Sequence, residues 1–134
     1  MPQRTVACRR WVNNLAQGWV NYLAQTAFSW LVCLAHDILL KLKPGVTQEA
    51  TQALLDALTA LMHSGVIAGM LEVSGGYNNS PEGRGHGYEY GFVIRFADQA
   101  ARDAYLPHPD HRKLGGQYVG PIAEDVLVFD YDRS

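Results

Sequence analysis

The chain places a tyrosine and two histidines within one short stretch, Tyr105-Leu106-Pro107-His108-Pro109-Asp110-His111. Tyr105 closes one helical segment, two prolines stiffen the turn, and His111 falls in the segment that follows. A phenol and an imidazole held in fixed relation are equipped for proton transfer. A neutral imidazole, with an ordinary pKa of about 6.5, can remove a proton alpha to a carbonyl near neutral pH. A tyrosine hydroxyl within reach can orient that base or donate to the developing enolate oxygen. His36, far upstream on an otherwise apolar stretch, is a third candidate. The structural alternative stays open: Tyr105 as a core ring with a tied hydroxyl, His111 as a residue that satisfies the turn. His108, Asp110 and His111 also carry metal-capable atoms, but the prolines keep them off one regular helix face, so neither metal nor cofactor is expected.

The elements that must position these groups are legible from residue 33 onward. Cys33 to Lys43 alternates, with Leu34, His36, Ile38, Leu40 and Leu42 on one face of a strand. Lys43-Pro44-Gly45-Val46 is a turn, and Thr47 is the expected N-cap of a helix running to about His63. Its apolar stripe is Ala50, Leu54, Ala57, Leu58 and Leu61. Val66 to Val73 reads as a second strand, and Gly75 to Gly87 as a long polar loop. Tyr88, Tyr90, Phe92, Ile94 and Phe96 alternate as a third strand with an aromatic inner face. Asp98 caps a short helix bearing Ala101 and Tyr105, a further helix carries His111, Leu114 and Tyr118, and Val126 to Tyr131 is the last strand. The predicted order is β-α-β-β-α-β, the split βαβ of α+β ferredoxin-like folds. Helices on one face leave the other face of the sheet bare, and such a domain is expected to cover it with a second copy of itself.

Length and charge bound the rest. The chain of 134 residues is one domain, with a net charge of −2 that gives no reason to expect nucleic acid. The charge is uneven: residues 1–32 hold three arginines, all three tryptophans and no acid, whereas residues 37–134 hold eight basic and thirteen acidic residues. Residues 1–32 therefore read as a separate, helically periodic extension, a targeting or docking segment, with the domain proper at 33–134. No apolar run is long enough to span a bilayer. The expected location is the cytoplasm, or an organelle if the extension is a transit peptide. Cys8 and Cys33 give no disulfide framework, and reduced thiols are the default expectation. Gly83-Arg-Gly-His-Gly87 matches a phosphate loop in composition only, because it leads into a strand rather than a helix.

Four stretches stand in order along the chain: His36-Asp-Ile-Leu-Leu-Lys-Leu-Lys-Pro-Gly-Val46, Phe96-Ala-Asp98 with Ala104-Tyr105, the His108-Pro-Asp-His111 turn, and Glu124-Asp125 through Asp130-Tyr131. Taken together they resemble the stress-responsive A/B barrel (Dabb) family. The resemblance covers roughly residues 33–132 and implies a dimeric α+β barrel, two ferredoxin-like units whose sheets close around one another. Family members include plant stress proteins and the olivetolic acid cyclase type, which performs a cofactor-free aldol cyclisation of a linear polyketide thioester. Similarity to that type implies His111 as general base, Tyr105 as catalytic phenol and His36 as a first-strand catalytic histidine. It also implies two altered wall positions, Tyr90 in place of a histidine and Leu58 in place of a tyrosine.

Two functions follow as expectations. The first is a homodimer with a small-molecule cleft acting as a cofactor-independent polyketide cyclase or lyase. Its catalytic residues are His111, Tyr105 and His36, and its substrate-binding wall is Tyr90, Leu58, Tyr88, Phe92 and His108. The second is a non-catalytic, stress-responsive or ligand-binding homodimer taking a small apolar ligand. A closed pocket lined by His36, Tyr90, Tyr105 and His111 favours the first. A cleft filled by Leu58, Phe92 and Ile94 favours the second.

Overall fold

Alternating and helical periodicities both reappear as regular elements in the computed structural model, which describes residues 33–133. The extension expected at 1–32 lies outside the described residues. In chain order the elements are β1 (Leu34–Leu42), α1 (Gln48–Ser64), β2 (Met70–Tyr77), β3 (Tyr90–Phe96), α2 (Gln99–Tyr105), α3 (Pro109–Leu114), a π-helical turn (Gly115–Val119) and β4 (Ala123–Asp132). The strands form one sheet in the order β2-β3-β1-β4, antiparallel throughout. This is the expected ferredoxin-like β-α-β-β-α-β arrangement.

Period two decides what each strand buries. Leu34, His36, Ile38 and Leu40 of β1 and Tyr90, Phe92, Ile94 and Phe96 of β3 are all buried on the helix side. Against them α1 presses Leu54, Leu58 and Leu61. The Thr47 hydroxyl accepts the Ala50 N–H at 3.3 Å and starts that helix, and Gly65 ends it in the left-handed region, φ 71°. Asp98 caps α2 in the same way, accepting from Ala101 N–H at 2.8 Å. One core results, joining α1, the sheet, Tyr105 and Leu114.

Four details differ from the sequence expectation. β2 begins at Met70 rather than Val66, because Gly69 turns the chain at φ +85° immediately before it. β2 also continues through Gly75 and Gly76 to Tyr77, which pairs with Tyr90. Gly75 is a packing residue and not a turn residue: a Cβ there would meet the Gly91 carbonyl oxygen and Phe92 Cβ at 3.0 Å each. Tyr88 precedes β3 instead of lining its inner face; its hydroxyl donates to Asp125 Oδ2 at 2.7 Å, and Lys41 Nζ lies 5.4 Å from its ring centre. Cys33 is disulfide-bonded, so the reduced state expected for the cysteines does not hold at this position.

The other side of the sheet is mixed, with Ala35 fully buried, Arg95 paired to Glu72 at 2.8 Å, and an exposed apolar strip along β1 and β4. Leu39, Leu127, Phe129 and Tyr131 lie there, and Phe129 is 61% exposed. No helix among the described residues is long and apolar enough to cross a membrane.

Leu58 sits within the core, 1% exposed. Leu58→Ala is expected to cost about 2–5 kcal/mol of stability, read as a lower urea midpoint at constant protein concentration and unchanged slope. A loss within about 0.5 kcal/mol, the scale of a surface substitution, would place Leu58 at a cleft wall instead.

Candidate active site

The turn between α2 and α3 fixes the tyrosine and histidine relative to each other. Tyr105, the last residue of α2, is only 2% exposed, and its carbonyl accepts the His108 N–H at 3.1 Å. His108 adopts extended backbone as the N-cap of α3, its Nδ1 accepting from Asp110 N–H at 3.1 Å, and Pro109 follows in the first turn, where its missing N–H costs nothing. His111 is thereby brought back over Tyr105, the ring centres 4.0 Å apart and the planes 34° from parallel.

Each imidazole has one nitrogen committed. His111 Nδ1 lies 2.9 Å from the Leu106 carbonyl oxygen. A carbonyl only accepts, so Nδ1 carries the proton and the neutral ring keeps its lone pair on Nε2. His36 Nδ1 lies 2.6 Å from Asp130 Oδ1, and Asp130 Oδ2 accepts from Arg102 Nη1 at 2.8 Å. His36 in turn meets the Tyr105 ring edge-on at 5.9 Å, while Phe96 packs at 5.1 Å from the same ring. Tyr105 thus stands between two imidazoles, each oriented through its Nδ1.

Burial sets the protonation states. It pushes the Tyr105 hydroxyl far above the ordinary tyrosine range, so the phenol is a donor at every physiological pH. That hydroxyl has no hydrogen-bond partner among the described residues. Burial also holds His111 below the ordinary histidine value; its hydrogen bond to Leu106 opposes this, and the charges of His36, Arg112 and His108 reinforce it. His111 is a neutral base near pH 7.

The other expected residues are placed elsewhere. In the sheet register His36 pairs with Ile94, whereas Tyr90 pairs with Leu40; Tyr90 is therefore toward the opposite end of the strand. Tyr90 and Tyr88 line a separate cavity of about 480 Å³ beneath the 78–89 connection, together with Tyr77, Arg84 and His86. Leu58 and Phe92 are in the core with Ile94, filling the space between α1 and the sheet. His108 lines an apolar trough between α2 and the Val66–Gly69 turn. Two residues to which the sequence reading gave no role in the site, Asp130 and Arg102, complete it. Arg102 carries a signal in its spacing, one helical turn before Tyr105. Asp130 is 94 positions from His36, and only the strand register brings them together.

Comparison with known proteins places this geometry in context. Solved structures match the chain closely in fold. A dimeric ferredoxin-like protein of unknown function from Jannaschia sp. CCS1 is 29% identical with a TM-score of 0.58, over 75% of this chain and 99% of its own. At3g17210 from Arabidopsis thaliana is 28% identical with a TM-score of 0.68, over 75% and 95% of the two chains. A hydroxynitrile lyase from Passiflora edulis has a TM-score of 0.65 at 17% identity, over 78% and 95%. No curated protein matches. The family model of the stress responsive A/B barrel domain matches residues 34–133, nearly the whole described chain, and the protein belongs to that family.

Proposed function

We propose that the protein is a homodimer whose His36–Tyr105–His111 cluster performs cofactor-free proton transfer on a carbonyl substrate. The reaction class is an aldol-type cyclisation of a polyketide-like thioester, or the related lyase reaction. One observation carries the reading: a buried, protonated phenol lies between two imidazoles, each held through Nδ1 and leaving Nε2 for chemistry. His111 Nε2 takes the proton alpha to a carbonyl, and the Tyr105 hydroxyl donates to the enolate oxygen that forms. The carbanion attacks a second carbonyl of the same chain, and His111 returns its proton to the new alkoxide. His36, braced by Asp130 and Arg102, holds the far side of the phenol. The Passiflora hydroxynitrile lyase supports this class to the extent that the same fold carries a lyase there.

A second reading, the non-catalytic ligand-binding homodimer, has its own observation. Leu58, Phe92 and Ile94 are packed into the core where a long polyketide tail would lie. An enzyme of the proposed class therefore takes a compact substrate, entering at the half-buried His111.

Dimerisation is supported by the exposed apolar strip of Leu39, Leu127, Phe129 and Tyr131 on the outer side of the sheet and by the dimeric ferredoxin-like relative from Jannaschia. Wild-type protein is expected to scatter light as a dimer at micromolar concentration, and Phe129→Asp as a monomer. A wild-type monomer would contradict the assembly.

The catalytic reading is tested on a panel of short polyketide thioesters. His111→Ala is expected to lower turnover by about 10²–10⁴-fold, the usual contribution of a general base. Tyr105→Phe is expected to lower it by about 10²–10³-fold, as for loss of an oxyanion donor. Identical product profiles from wild type and both variants would leave the ligand-binding homodimer as the reading that stands.

The His111 environment has a pH consequence as well. Its folded pKa is below the unfolded value of about 6.5. In the window between the two, the unfolded chain binds more protons, so stability rises with pH there. The contribution is complete above the unfolded value and is lost as pH falls toward the folded one. The urea midpoint of wild type is expected to drop on acidification through this window, with a smaller drop in His111→Gln. Equal pH dependence in the two proteins would show that His111 is not held neutral by the fold.

A further inference from the structure

One row of residues crosses the outer side of all four strands: Gly76 of β2, Gly91 of β3, Leu39 of β1 and Leu127 of β4. Its profile is uneven. Leu39 and Leu127 are both exposed. A Cβ on Gly91 would lie 2.8 Å from Leu39 Cδ2, so Leu39 leans over Gly91 and fills the middle of the row. Gly76 is different. A Cβ there would meet nothing within 4 Å, and its φ is not positive. Neither packing nor backbone conformation within the chain requires glycine at this position, and glycine weakens a strand. All four residues line the cavity of about 480 Å³ beneath the 78–89 connection. Gly76 is thus the floor of a depression at β2, and Leu127 is a ridge at β4.

A strand glycine without an internal cause marks a close approach from outside. The homodimer proposed above supplies what approaches, and the inference rests on that reading. A closed pair uses the same surface on both copies, so that surface must fit itself about a two-fold axis. Sheets packed face to face commonly keep their strands within about 30° of one another. Two axes in the plane between the sheets satisfy this. An axis across the strands lays β4 over β4 and β2 over β2, ridge against ridge and depression against depression. An axis along the strands, between β3 and β1, lays β4 over β2 and β1 over β3. Leu127 of each copy then meets Gly76 of the other, and the two Leu39 side chains meet at the axis. Charge agrees with the second arrangement. Arg84 stands on the wall of the cavity, and Glu124 lies at the same end of the sheet, on β4. Neither has an ion pair among the described residues. We propose that a second copy seats its Leu127 on Gly76, with Leu39 packed against the partner's Leu39 and Arg84 facing the partner's Glu124.

The fit is tested by exchanging volume across it, with dimer dissociation constants taken from sedimentation velocity over a concentration series. Gly76→Val fills the depression. Its Cβ meets nothing in its own chain, so the far-ultraviolet circular dichroism is expected to be retained. Each dimer would hold two such clashes, and the dissociation constant is expected to rise about tenfold or more. Leu127→Trp, at an exposed position of an edge strand, enlarges the ridge and is expected to raise the constant as well. Leu127→Ala lowers the ridge and is expected to weaken the dimer by lost apolar contact. Gly76→Val combined with Leu127→Ala restores the side-chain volume shared at the contact. This double variant is expected to return to within about threefold of wild type, the signature of residues in direct contact. A wild-type dimer indifferent to both Gly76→Val and Leu127→Trp would overturn the arrangement and leave the homodimer standing. So would a double variant no tighter than Gly76→Val alone. A wild-type monomer would overturn both, and would give the cavity to another occupant.

Discussion

β1 is hydrogen-bonded along both edges, to β3 on one side and β4 on the other, and the rest of the structure is arranged around that pairing. A strand held on two sides cannot slip by one residue without turning its whole apolar face outward. Leu34, His36, Ile38 and Leu40 must therefore all point at the helices. For three of them that is ordinary core packing. For His36 it places a polar ring at 4% exposure, and a buried polar group needs a partner. Asp130 supplies it from the neighbouring strand, and Arg102 balances Asp130 from α2. The ionic cluster beside Tyr105 is thus a consequence of where β1 sits.

How much of this the sequence disclosed follows from which residues carry a side-chain signal. The inner face of β3 was legible from Tyr90, Phe92, Ile94 and Phe96, whose alternation needs no tertiary knowledge. So were the caps Thr47 and Asp98, since a short polar side chain before an apolar helical stripe has few other uses. The second half of β2 was hidden because Gly75 and Gly76 have no side chain to alternate, and their composition imitates a loop. Gly75 is small because Phe92 and the Gly91 carbonyl press on it, a tertiary reason invisible in a one-dimensional pattern. Tyr88 misled in the opposite sense: it continues the alternation of β3 in sequence, but its hydroxyl is drawn to Asp125 at the start of β4.

The candidate site divides in the same way. Tyr105 and His111 lie six positions apart across a proline turn, so their contact is local and was visible. His36 was noticed as the one polar residue of an apolar face, yet its partner was not, because the bond to Asp130 depends on a register spanning almost the whole domain. The residues grouped as a substrate wall rested on resemblance to a cyclase and not on spacing. Of these, Leu58 and Phe92 pack in the core, while Tyr90 and Tyr88 belong to the other end of the sheet. Local chemistry was readable, and its surroundings were not.

β4 joins the His36 cluster to the exposed surface. It is an edge strand, paired only with β1, and edge strands are the least constrained members of a sheet. On alternate residues it carries opposite duties. Asp130 points to the helix side and grips His36 and Arg102. Phe129 and Tyr131 point the other way, both exposed, with ring centres 6.1 Å apart. A shift of one residue would exchange them, sending the carboxylate to the apolar face and an aromatic ring against His36. Whatever fixes the register of β4 therefore fixes the orientation of the His36 imidazole. The carboxylate restrains the strand from the inside, and apolar contact on Phe129 and Tyr131 would restrain it from the outside. The His36–Asp130–Arg102 cluster and the exposed rings of Phe129 and Tyr131 are accordingly two sides of one strand, and covering the second would steady the first.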